Sequence, residues 1–107
     1  MPFIDTNQSE PWERLPGWRG RFFHSDNMTF SIWNFAEGSS IHEHHHPNEE
    51  AWYVISGELE ITIDGETRIA GPGMAAVIPW DGVHRVHARK SGQAFVASHP
   101  IRDDIPK

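Results

Sequence analysis

Apolar and polar positions alternate along this chain in short stretches, and turn residues part the stretches at short intervals. Residues 58–63 read E-L-E-I-T-I, which puts Leu59, Ile61 and Ile63 on one face of a strand. Asp64-Gly65 follows, a type I′ hairpin signal, and residues 66–69 return as the partner strand. Thr29–Phe35 and Ala75–Ile78 read as further strands, the second stopped by Pro79. Residues 52–55 (W-Y-V-I) read as a buried strand ending at Gly57. Residues 84–89 and 93–98 read as two strands split by a Ser91-Gly92 turn. No window carries a helical stripe, and a short turn is expected near Pro11 to Leu15. Strands this short and this regularly punctuated predict an all-β sandwich or barrel.

The 107 residues fit one domain with one core. Within it, residues 1–20 read as an N-terminal arm able to wrap a partner, 28–99 as the barrel core and 100–107 as a tail. Nine basic against fifteen acidic residues give a net charge of −6, with no basic patch for nucleic acid or an anionic membrane. No stretch is long and apolar enough for a membrane span, and the N-terminus lacks the basic-then-apolar pattern of a signal peptide. The expectation is a soluble, cytoplasmic protein. There is no cysteine, so disulfides, thiolate metal sites and cysteine nucleophiles are excluded. Any metal must be held by nitrogen and oxygen, which suits iron, manganese, nickel or zinc. Five tryptophans can serve as core or as the walls of a pocket.

Of eight histidines, four lie between residues 41 and 46. His44 and His46 are two apart, on one side of a strand and about 6.6 Å from each other along it. Two imidazoles so placed can converge on one ion at about 2.0–2.2 Å. Pro47-Asn48 is a turn signal, so Glu50 can begin a returning strand and face the same side. A fourth ligand must come from elsewhere, and His84 follows the second Pro/Gly turn. The alternative for this tract is a solvated His-rich segment, which the placement of Glu50 and His84 disfavours. His42 has the right parity and is a candidate pocket residue. By alternation His45, Glu49 and His87 face away, and His24 and His99 are not expected as ligands. Trp52 and Val54 share the face of Glu50, and Val86 and Ala88 that of His84, so all four are candidates for a pocket wall.

Two spaced patterns run through these residues. Gly38, His44, His46, Glu50 and Gly57 fit G, five residues, H-x-H, three or four residues, E, six residues, G. Gly73, Pro79 and His84 fit most of a second pattern, in which Gly82 stands one place late and Ala88 replaces an asparagine. Together they resemble the two motifs of the cupin superfamily. The resemblance implies a double-stranded β-helix, a jelly-roll barrel with one divalent ion inside it on His44, His46, Glu50 and His84. It also implies a homodimer paired through edge strands. The stretches around residues 17–23 and 99–104 resemble the KdgF-like pectin-degradation cupins, which linearise 4,5-unsaturated galacturonate. Glu50, where many of those proteins carry glutamine, and Ile105, where an aromatic is common, depart from that pattern.

The resemblance implies an enzyme acting on a small polar molecule, such as an unsaturated sugar acid. Arg102 could pair with a uronate carboxylate and Asp104 could carry a proton; both could equally form a surface ion pair. Arg21 is a further candidate anion anchor. Two other functions fit the same residues, an iron-dependent dioxygenase and a non-catalytic module that binds a small molecule.

Overall fold

The computed structural model describes residues 3–106; Met1, Pro2 and Lys107, at the ends of the expected arm and tail, lie outside them. After a 3₁₀ turn at Thr6–Gln8 come eight strands: β1 (Trp12–Leu15), β2 (Trp18–His24), β3 (Thr29–Phe35), β4 (Ser40–His44), β5 (Glu49–Ile63), β6 (Glu66–Ala70), β7 (Ala75–Ile78) and β8 (His84–His99). No helix among the described residues is long and apolar enough to cross a membrane.

Every strand pairing is antiparallel, and two long strands organise the barrel. Residues 49–56 of β5 lie between β7 and residues 93–99 of β8, and β3, β2 and β1 extend the layer beyond β8. Residues 58–63 of β5 lie between β6 and residues 84–90 of β8, with β4 on the far side of β8. β5 and β8 thus belong to both layers and bend together from one to the other.

The bend explains two departures from the sequence expectation. Gly57 and Ser91-Gly92 do not end strands; the chain passes through them. Pairing slips between Val54 and Leu59, and Gly57 sits at φ +78°, open to glycine at no steric cost. A Cβ on Gly57 would stand 2.6 Å from the carbonyl oxygen of Ser91, and one on Gly92 would collide with the Ser56 carbonyl. The two backbones cross in contact, so side chains are excluded from both positions. By contrast Asp64 and Gly65 both take positive φ, as the predicted hairpin requires.

A third departure lies at the N-terminus. The expected turn near Pro11 to Leu15 is instead β1, paired with β2. From Trp12 onward the expected arm is part of the sheet, joined to its own chain. Trp18 is fully enclosed, with ring centroids 6.2 Å from both Trp33 and Trp52 and 5.2 Å from Phe35. These aromatics from the first layer meet Ile41, Leu59, Ile61, Val86 and Ala88 from the second. Large aromatic surfaces packed edge to face fill one end of the barrel.

The tail crosses the other end. The Arg102 backbone N–H donates to Thr29 Oγ1 at 2.9 Å, and the Asn48 side chain donates to the Pro100 carbonyl at 2.6 Å. Ile105 is buried. Residues far apart in sequence are brought together there, around His44, His46 and His84.

Candidate metal centre

Strand register assembles the site. His44 on β4 lies directly opposite His84 on β8, and their ring centroids are 4.1 Å apart. Glu50, at the start of β5, lies opposite Ser98 at the end of β8. His46 enters from the turn between β4 and β5, where the Asn48 N–H donates to the His46 carbonyl. One nitrogen from each of His44, His46 and His84 can be chosen so that all three lie within 4.8 Å of one another.

The tautomers of two of these rings are set by the backbone. Nδ1 of His44 lies 2.8 Å from the His42 carbonyl, and Nδ1 of His84 lies 2.8 Å from the Gly82 carbonyl. A carbonyl only accepts, so each Nδ1 carries the proton and each Nε2 presents a bare lone pair. Burial, together with the neighbouring His84, His46 and Arg14, lowers His44 to about 4 despite its carbonyl partner. Burial also lowers His84. Both rings are neutral near neutral pH, the form that ligates a metal. Nε2 of His84 and both ring nitrogens of His46 are buried without a hydrogen-bond partner. Unpaired buried nitrogens on converging rings, with Nδ1 oriented by carbonyls on two of them, fit a divalent ion.

Glu50 adjoins the three rings. Its Oε1 lies 3.5 Å from His46 Nε2 and 4.0 Å from His84 Nε2, and accepts from Trp52 Nε1 at 3.2 Å. Its Oε2 accepts from Ser98 Oγ at 2.6 Å and from Arg102 Nη1 at 2.7 Å. Burial opposes the Glu50 charge, but His46, the Arg102 guanidinium and the Ser98 hydroxyl outweigh it and hold the carboxyl at about 2. Arg102 is clamped from its other side by Asp104, at 2.8 Å and 2.6 Å. That pairing holds Asp104 well below the usual carboxylate range, against its partial burial.

The predicted residues fall into three groups. His44, His46, His84, Glu50, Trp52, Arg102 and Asp104 are brought together. Val54, Val86 and Ala88 point inward as parity requires, but they are enclosed in the core and not among the residues lining the cavity beside the histidines. His42 is exposed. Ile41 faces Val86 and His44 faces His84, so three steps on β4 match two on β8. The extra residue reverses the alternation and turns His42 outward. Arg21 is also elsewhere, in a shallow depression with Pro11, Arg19 and Asn34, where it donates to the Ser9 carbonyl. His45, Glu49 and His87 face away as expected; His45 pairs with Asp81 and His87 with Ser40.

Sequence reasoning missed Ser31, Trp33, Ser98 and Arg14. Ser31 and Trp33 share the buried face of β3, which strand alternation alone could have identified. Ser98 needed the β5–β8 register, and Arg14 needed β1. The cavity bordered by Arg14, Ser31, Trp33, His44, Glu50 and Arg102 measures about 20 Å³, room for an ion or a water. A wider groove of about 380 Å³ lies against His46 and Asp104, walled by Asn48, Trp80, Pro100 and Ile101.

Known proteins resemble this chain in sequence and fold. KdgF, a pectin degradation protein of Dickeya dadantii, is 30% identical over 96% of this chain and 96% of its own length. CurC, a polyketide synthase protein of Streptomyces cyaneus, is 45% identical over 58% of this chain, which spans only 41% of that relative's length. The solved structure of KdgF from Halomonas sp. superposes with a TM-score of 0.89 at 24% identity, over 97% of each chain. The family model for the cupin domain, Cupin_2, matches residues 31–98, the segment that holds all three histidines and Glu50, and the chain therefore belongs to the cupin family.

Proposed function

We propose that this protein is a metal-dependent enzyme acting on a small polar molecule of the unsaturated sugar-acid class. The observation that carries the metal part is the convergence of three imidazoles, on two of which, His46 and His84, buried ring nitrogens have no hydrogen-bond partner. His44, His46 and His84 would hold the ion, with Glu50 Oε1 beside them. A divalent ion there would supply Lewis-acid polarisation of a ligand oxygen. The substrate class is supported by the full-length similarity to KdgF of Dickeya dadantii.

The chain's own groups fit a polar ring. The small cavity admits an oxygen beside the histidines, and the adjoining groove has volume for a monosaccharide. Exposed Trp80 offers an aromatic wall. Asp104, held as the anion by Arg102, lines that groove. Protein loaded in turn with iron, manganese, nickel and zinc should remove the ultraviolet absorbance of 4,5-unsaturated galacturonate with at least one metal. Tight binding without turnover under all four would replace the enzyme reading with a binding module.

The same reading includes a homodimer. On the outside of the first layer, Phe23, Phe30 and Phe95 stack at 4.8 and 6.0 Å, and Tyr53 and Val77 are 48% and 62% exposed. A second copy would remove this apolar face from water. Light scattering at micromolar protein should give twice the monomer mass, and a monomer would remove the dimer from the account.

A further inference from the structure

The site holds two arginines, and their surroundings divide their roles. Arg102 is buried at 6% exposure, and all three of its side-chain nitrogens are engaged. Its Nη1 donates to Glu50, while Nε and Nη2 each donate to an oxygen of Asp104 within 2.8 Å. To turn toward a ligand it would have to abandon a buried carboxylate. Arg14 borders the small cavity beside His44, with its side chain 23% exposed, and reaches the wider groove through its contact with Asp104, which lines that groove. Both of its terminal nitrogens share one oxygen of Asp104, each at 3.4 Å, too long for a strong charge-assisted pair. The guanidinium lies 6.0 Å from the centre of the Trp12 ring, which packs edge-on against Phe22, so its direction is braced while its donors remain loosely used.

The charges specify the kind of ligand. Glu50 and Asp104 cancel Arg102 and Arg14, so a divalent ion would leave the site positive. An anionic ligand would offset part of that charge, and a carboxylate matches the guanidinium fork of Arg14.

We infer that Arg14 is the anchor for a ligand carboxylate, taking the place of its long contact to Asp104, and that Arg102 is a positioning residue for Glu50. This rests on the metal-dependent reading and names the group in that site which selects acids over neutral sugars.

The probe pair is galacturonate and galactose, which differ in bearing a carboxylate or a hydroxymethyl group. Calorimetry on zinc-loaded protein should show galacturonate binding roughly tenfold or more tighter than galactose. Arg14→Gln should abolish that preference with the zinc content and melting temperature unchanged, and Arg14→Lys should keep part of it. Arg19→Gln, on the exposed side of the neighbouring strand, should leave it intact. A preference that survives Arg14→Gln, or a zinc-loaded wild type without one, would overturn the assignment. Should zinc, iron, manganese and nickel all fail to bind, the metal reading is lost, but the Arg14 assignment still requires a weaker galacturonate preference in metal-free protein that Arg14→Gln removes.

Discussion

Arg102→Ala in the metal-free protein should destabilise the fold by about 3–5 kcal/mol, the cost of stranding a buried charge. The reason lies in Glu50, which is 2% exposed and ionised, with Arg102 at 2.7 Å as its cationic partner. Alanine leaves that carboxylate with the Ser98 hydroxyl, the Trp52 indole and the His46 ring at 3.5 Å, and without its guanidinium. The tail also loses its clamp, because Asp104 holds position through the same guanidinium. In a domain of this size the melting temperature should fall by roughly 12 °C or more. Glu50→Gln combined with Arg102→Met should recover a large part of the loss, since no unpaired charge then remains inside. Urea unfolding of the wild type and the two variants measures this. A loss under about 1 kcal/mol for Arg102→Ala, or no recovery in the double variant, would show that the pair is not what fixes Glu50.

The second large effect is metal-linked stability. An ion that binds only the folded chain stabilises it by about 2.7 kcal/mol when supplied at a hundred times its dissociation constant. Zinc should therefore raise the melting temperature of metal-free protein by roughly 10 °C. His84→Ala should remove that rise, because His84 is buried at the centre of the three rings with an unpaired Nε2. His42→Ala and His45→Ala should keep it, since both side chains are exposed. Scanning calorimetry with and without zinc decides the matter. An equal rise in His84→Ala would place the ion elsewhere among the surface histidines.

The parts of this architecture that sequence revealed are those governed by local rules. β-prone and apolar runs bounded by turn residues located Thr29–Phe35 and Ala75–Ile78 to the residue, and the Asp64-Gly65 hairpin followed from the need for two positive φ angles. The histidines were legible because ligands two apart on a strand, followed by a turn, form a compact pattern. Other features depended on pairing partners that spacing does not reveal. Glycine signals a chain reversal and a close backbone crossing alike, so Gly57 and Gly92 read as strand ends although β5 and β8 run on through them. The slip between Ile41 and His44 belongs to the β4–β8 register, and it reversed the direction expected of His42. Parity did predict that Val54, Val86 and Ala88 face inward. It could not show that aromatics from β2 and β3 fill that end of the barrel, leaving only a small cavity beside the histidines. Arg102 was legible as a site residue, but its task was not. Its commitment to Glu50 arises where the tail crosses the barrel, a contact between positions 52 residues apart.

The central claim is that His44, His46 and His84 hold one divalent ion. Elemental analysis of protein purified without chelator or affinity tag tests it most directly, beside a His44→Ala/His46→Ala variant purified in the same way. The account predicts about one equivalent of iron, manganese, nickel or zinc per chain, lost in the double variant while the fold remains. No metal in the wild type after reconstitution, or equal metal in the two proteins, would contradict it.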